Sequence, residues 1–213
     1  MTAVESFTAY FQTCPLIAIL RGVTLDETED IGAALVEAGI RIIEVPLNSP
    51  DPLASIRRLA QHLGSRALIG AGTVLDPHDV ARIADVGGRI IVSPNANPAV
   101  IGATVDAGLV SAPGYFTPTE AFAALAAGAH LLKLFPAEAA SPIIVKAHRA
   151  VLPKTTPLAL VGGITPGRIA EFLDAGANGF GLGGALYRPG QTSDQVSAQA
   201  SAFVAAFNQA CRR

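Results

Sequence analysis

The stretch LIAILRGVTLDETEDIGAALVEAGIRIIEVPL, residues 16–47, decides the fold. It opens on a short apolar run (LIAILR, 16–21) and closes on another (IRIIEVPL, 40–47). Between them, DETEDIGAALVEAG (26–39) puts Ile31, Leu35 and Val36 on one helical face. A strand apolar on both faces, then a helix, then a second such strand is the unit of a parallel sheet covered by helices. The unit recurs. ALIGAGTV (67–74), RIIVSP (89–94), LVSAPG (109–114), HLLKLFP (130–136), PLALVGG (157–163) and GFGLGG (179–184) follow, with starts about 20 to 27 residues apart. Among the intervening helices is TPTEAFAALAAG (117–128), where Thr117 or Thr119 is placed to cap the start and Gly128 to stop the end. Eight such units predict a closed (β/α)8 TIM barrel in a single domain over residues 1–213, preceded by a short N-terminal helix over about residues 3–12. A doubly wound open sheet is the alternative, but eight strands of similar length and hydrophobicity close more naturally.

Composition agrees with one well-buried core. Of 213 residues, 50% are hydrophobic and 15% charged, a balance for a globular chain rather than a disordered one. Lys and Arg number 15 against 17 acids, so the net charge of −2 draws the chain to neither nucleic acid nor anionic lipid. The expected partner is a small molecule. No run approaches 18 uncharged apolar residues, which argues against a membrane span. Cys14 and Cys211 lie far apart and outside any metal-ligand spacing, and no basic, apolar leader opens the chain, so a reduced, cytoplasmic protein is expected. His62, His78, His130 and His148 are scattered, so no metal site is expected. GAG at 70–72 lacks the third glycine of a dinucleotide fingerprint.

The anomaly is Lys133, set inside the apolar run HLLKLFP, while Lys146 and Lys154, the other two lysines, fall on or beside a helix. In a barrel, alternate strand residues point inward and catalytic groups sit at the strands' carboxyl ends. By alternation, Ile17, Ile19 and Arg21 share a face, as do Ile42 and Glu44, then Ile69, Ala71 and Thr73, and then Leu131, Lys133 and Phe135. If those faces are internal, Arg21, Glu44, Thr73 and Lys133 converge at one mouth. Lowering a lysine pKa by about three costs roughly 4 kcal/mol, and the resulting neutral amine attacks ketones to form a Schiff base. The imine then accepts the electrons of a breaking carbon–carbon bond, which is retro-aldol cleavage. Glu44 is suited to carry the proton, and Arg21 with Thr73 to hold a substrate carboxylate. A buried Lys133–Glu44 ion pair without chemistry is the structural alternative. The glycine pairs Gly162–Gly163 and Gly183–Gly184 follow the seventh and eighth strands, where barrels often bind phosphate through backbone N–H groups. A phosphorylated substrate is expected.

Taken together, LIAILRG (16–22), IIEVPLNSP (42–50), LIGAGTVL (68–75), SPNANP (93–98), APGYFTPTEA (112–121), LLKLFPAE (131–138), VGGITP (161–166) and GLGGALYRPGQ (181–191) resemble the bacterial 2-keto-3-deoxy-6-phosphosugar acid aldolases, in order and over nearly the whole chain. The resemblance implies a class I, metal-free and cofactor-free aldolase that releases pyruvate and D-glyceraldehyde 3-phosphate, usually as a homotrimer. It implies that Lys133 forms the imine, Glu44 moves protons, Arg21 and Thr73 hold the pyruvyl carboxylate, the four glycines meet the phosphate, and Phe135 and Pro94 line the pocket. Members acting on the gluconate-derived substrate read EVTLRT, whereas this chain reads EVPLNSP, with Asn48 at the place of the arginine and so, on the resemblance, a candidate substrate-binding residue. EVPLNSP, Pro94–Asn95 and LYRPGQ resemble the branch acting on the galactonate-derived substrate, the C4 epimer. A phosphosugar isomerase or decarboxylase of the same fold would not need the imine, and a non-catalytic phosphosugar-binding barrel would leave its ligand unchanged.

Overall fold

The computed structural model describes residues 1–212, and its elements alternate as the sequence predicts. The strands are β1 (Leu16–Ile19), β2 (Ile42–Pro46), β3 (Leu68–Gly72), β4 (Ile90–Val92), β5 (Val110–Ala112), β6 (Gly114–Tyr115), β7 (Leu132–Leu134), β8 (Leu158–Val161) and β9 (Gly179–Leu182). The helices are α1 (Ala3–Thr13), α2 (Thr28–Glu37), α3 (Pro52–Leu63), α4 (Pro77–Asp85), α5 (Pro98–Asp106), α6 (Pro118–Ala126), α7 (Pro142–Val151), α8 (Ile169–Asp174) and α9 (Ser193–Cys211). Ile31, Leu35 and Val36 are buried on α2. Of the two candidate caps on α6, Thr117 takes the position, in a reciprocal capping box with Glu120.

All strand pairs are parallel, in the order β5-β4-β3-β2-β1-β9-β8-β7-β6. The two ends of that order, β5 and β6, are consecutive segments of one barrel stave separated by Pro113, which has no N–H to give the ladder. The ring closes through the chain itself. Across the closure, the N–H groups of His130 and Leu131 donate to the Ser111 carbonyl, and that of Lys133 donates to the Pro113 carbonyl. The expected eight-stave barrel is therefore present, with its fifth stave interrupted.

Two layers of apolar side chains hold it. Outward residues such as Ala18, Ile43, Val45, Leu132 and Leu160 pack under the helices. Inward residues, including Ile17, Ile42, Leu68, Ile90, Leu131 and Ala159, fill the barrel and meet Ala3, Phe7 and Phe11 of α1. The Phe7 and Phe11 rings stack with centroids 5.1 Å apart. The N-terminal helix thus packs against the inward layer, near the start of the strands, leaving the opposite mouth for chemistry. Among the described residues, no helix is long and apolar enough to cross a membrane.

Alternation fails on one strand. Counting back from Thr73 puts Ile69 and Ala71 inside, but both belong to the outer layer, and Leu68 is the inward residue. The inward places nearer the mouth are held by Gly70 and Gly72, and the chain leaves the strand at Thr73 with φ +57°, which breaks the two-residue period.

Candidate active site

Lys133 lies on β7 and Glu44 on β2, both buried, with 8% and 2% of their surface exposed. They line one small internal cavity together with Ile17, Ile19, Val92 and Val161, among others. The backbone holds each rigidly. The Glu44 carbonyl accepts the N–H of Leu20, while Lys133 and Phe135 donate to the carbonyls of Pro113 and Tyr115. Lys133 Nζ lies 4.9 Å from the centroid of the Phe135 ring. No ion pair within 4.0 Å joins Lys133 to an acid among the described residues. Glu44 Oε2 has no hydrogen-bond partner among them either. A buried pair serving only packing would close that gap, because an unmet carboxylate oxygen is destabilising.

Electrostatics follow from this placement. Burial pushes the Lys133 pKa down, the Glu44 charge opposes that, and the Arg21 charge adds to it. Burial pushes Glu44 up to about 7, against the pull of Lys133 and Arg21. Burial thus favours the neutral form of both groups, the form in which an amine attacks, and sets the Glu44 carboxyl to exchange protons near neutral pH.

Above them opens a cleft of about 320 Å³ lined by Arg21, Phe135, Gly162, Gly163, Thr165, Gly183, Gly184 and others. Ile19, Val161 and Gly181 line both spaces, so the cleft continues down to the amine. Gly162 and Gly163 adopt φ +110° and +63°, values that side chains disfavour, and Gly183 and Gly184 face open space where a Cβ would stand. After β9 the chain makes one turn in which the Gly183 carbonyl accepts from Leu186 and Tyr187, and the amides of Gly184 and Ala185 donate to no backbone acceptor among the described residues.

The structure therefore gathers Lys133, Glu44, Arg21, Phe135 and the four glycines around one continuous space. Thr73, Pro94 and Asn48 do not line it. Thr73 and Pro94 are half-buried, and Asn48 is exposed and accepts a hydrogen bond from Arg21 Nη1 at 2.7 Å. His130, on the opposite parity from Lys133, accepts the Ser111 N–H through Nδ1 at 3.1 Å. No group of three or more His, Cys, Asp or Glu side chains suited to a metal comes together among the described residues.

Sequence reasoning missed three contributors. A Cβ on Gly72 would overlap the Glu44 carboxylate, so this glycine makes the room in which the acid sits. The Glu138 side chain packs against Gly162 and Gly163. Buried Ser49 accepts the Gly22 N–H at 2.9 Å and ties the loop after β2 to the loop after β1. A glycine and a serine carry no hydrophobic or charge signal of their own, and the exposed Glu138 reads along the chain as an ordinary surface acid; only their places beside Glu44, the loop after β1 and the Gly162–Gly163 pair give them meaning.

Known proteins share this arrangement of chain. The profile of the family described as KDPG and KHG aldolase matches residues 7–199. A Rhizobium meliloti (strain 1021) protein named a probable 2-dehydro-3-deoxy-6-phosphogalactonate aldolase is 50% identical over 194 residues, 91% of this chain and 92% of the relative. The 2-dehydro-3-deoxy-6-phosphogalactonate aldolase of Escherichia coli (strain K12) is 47% identical over 196 residues, 92% of this chain and 96% of its own. A solved structure described as native KDPGal superposes with a TM-score of 0.92 at 47% identity, covering 93% of this chain and 97% of that one.

Proposed function

The chain belongs to the KDPG and KHG aldolase family, a family of carbon–carbon lyases, and from that premise we propose that it is a class I aldolase cleaving 2-dehydro-3-deoxy-6-phosphogalactonate to pyruvate and D-glyceraldehyde 3-phosphate. The observation that carries the chemistry is the buried amine of Lys133 sharing a cavity with Glu44 beneath a glycine-lined cleft.

The steps follow from the groups present. Neutral Lys133 Nζ attacks the C2 ketone, and the carbinolamine's hydroxyl takes a proton from solvent and leaves as water, giving an iminium. Glu44 as carboxylate takes the proton from the C4 hydroxyl, and the C3–C4 bond breaks. Its electron pair moves into the iminium to leave an enamine, and the aldehyde departs. Glu44, now protonated, returns a proton to C3 to give the pyruvyl iminium, and water hydrolyses it to pyruvate and the free amine, releasing one proton to solvent. Arg21 offers two donors to the keto acid's carboxylate; Thr73, which does not line the cleft, is a further donor on the family resemblance alone. The amides after β8 and β9, at Gly162–Gly163 and Gly183–Gly184, hold the phosphate at the far end of the cleft, while Phe135 closes the apolar side. Glu44 near pKa 7 is matched to giving and taking the same proton.

The galactonate-derived substrate is favoured by the names of the two relatives at 47–50% identity and by Asn48 where the gluconate branch carries an arginine. Residues 1–213 form one catalytic domain on this reading. We place the enzyme in the cytoplasm as a homotrimer, on the family resemblance and on free Cys14 and Cys211. A coupled assay for pyruvate, run on both C4 epimers with one preparation, tests the function. Faster turnover of the galactonate epimer is expected. Preference for the gluconate epimer would move the chain to the other branch, and binding without pyruvate release would make it a phosphosugar-binding protein.

A further inference from the structure

Arg21 is exposed, and its side-chain hydrogen-bond partner among the described residues is a neutral one, the amide oxygen of Asn48 at 2.7 Å, not a carboxylate. An amide oxygen orients a guanidinium without cancelling its charge, so the full field of the cation is left for a ligand. The field is felt inside, where Arg21 depresses the pKa of both Glu44 and Lys133. The contact joins the loop after β1 to the loop after β2, whose strands pair in parallel with Ile19 beside Glu44. A second bond between the same loops, from the Gly22 N–H to buried Ser49 Oγ at 2.9 Å, fixes their spacing, and the Ser49 N–H donates back to the Pro46 carbonyl to close the turn. Arg21 lines the cleft and Asn48 does not.

We propose that Asn48 is a positioning residue: its side-chain oxygen holds the Arg21 guanidinium over the cleft for the substrate carboxylate, and Asn48 itself does not touch the substrate. The proposal rests on the reading of Arg21 as the carboxylate's cation. Long, exposed arginine side chains lose rotamer freedom when fixed, so a partner that fixes one in advance strengthens binding without adding a contact.

Four forms of the enzyme test this in the condensation direction: wild type, Arg21→Ala, Asn48→Ala and the double variant, with KM for pyruvate and kcat measured for each. Asn48→Ala is expected to raise KM for pyruvate about 3- to 10-fold with kcat little changed, and Arg21→Ala to raise it more. The double variant is expected to match Arg21→Ala alone, because once the arginine is gone there is nothing left to position. If the two effects multiply, Asn48 binds substrate directly and the proposal is overturned. An unchanged KM in Asn48→Ala alongside a raised one in Arg21→Ala overturns it equally, while sparing the reading of Arg21. An unchanged KM in Arg21→Ala removes that reading and the proposal with it. Asn48→Asp adds a separate check. It keeps the acceptor but neutralises the cation, so it is expected to raise KM for pyruvate and to make that KM less sensitive to salt than in wild type.

Discussion

Lys133 on β7 and Glu44 on β2 line the same internal cavity yet stand more than 4.0 Å apart, close enough to shift each other's pKa and too far to form an ion pair. Each group is destabilised by burial, and in each case the loss has a use: an amine whose neutral form burial favours, and a carboxyl that exchanges its proton near neutral pH. Four consequences are measurable.

Lys133→Met is expected to abolish pyruvate release while leaving the fold intact or more stable. The folded protein holds the Lys133 pKa below its ordinary 10.5, so the folded state is penalised at every pH below that lowered value, and the penalty fades as pH rises toward 10.5. Methionine, of similar length and without charge, removes it. Thermal unfolding at neutral pH together with the coupled assay checks both halves. A variant that fails to fold would make Lys133 a structural residue.

Glu44→Gln is expected to slow turnover by about 10²–10⁴-fold. It also has a stability signature. Below pH 4.5 the carboxyl is protonated in both the folded and unfolded chains, and its burial makes no pH-dependent difference. Between 4.5 and about 7 the unfolded chain ionises first, so stability falls as pH rises; above about 7 the loss is complete, at about 3 kcal/mol. Glu44→Gln is therefore expected to unfold at a higher temperature than wild type above pH 7 and to lose that advantage in acid. The rise of wild-type kcat/KM through about pH 7 should be absent from the variant. Denaturation curves at several pH values would contradict this account if the two proteins stayed parallel throughout.

Gly184→Ala is expected to keep the fold, because a Cβ there meets nothing within 4 Å, and to raise KM for the phosphorylated aldehyde about 10-fold with KM for pyruvate unchanged. Gly162→Ala differs in kind. At φ +110° and with Glu138 packed against it, the added methyl group is expected to lower stability by 1 kcal/mol or more, roughly. Steady-state kinetics and melting curves on both variants separate binding from folding.

Much of this was legible from residue pattern. The strand–helix period is written by Leu, Ile and Val, and the lone lysine in HLLKLFP stands out because burial makes it expensive. The same pattern goes silent where the inward residues are glycines. On β3 the inward positions after Leu68 are Gly70 and Gly72, and only glycine fits there, because a Cβ would overlap the Ile90 carbonyl in one case and the Glu44 carboxylate in the other. With no apolar side chain to mark the inner face, alternation read the wrong one, and the positive φ at Thr73 hid the error. The fifth stave read as one strand, and its break follows from the missing N–H of Pro113. Asn48 was legible as a departure from a motif, but its hold on Arg21 depends on two loops meeting in space, which no spacing along the chain records.

The most direct test of the amine's role is reductive trapping: incubation with pyruvate, addition of borohydride, digestion and mass measurement of the peptides. The peptide carrying Lys133 is expected to gain the mass of one reduced pyruvate adduct, in wild type and, more slowly, in Glu44→Gln. An unmodified Lys133 peptide under conditions where the enzyme turns over, or an adduct on Lys146 or Lys154 instead, would contradict the assignment of that buried nitrogen as the nucleophile.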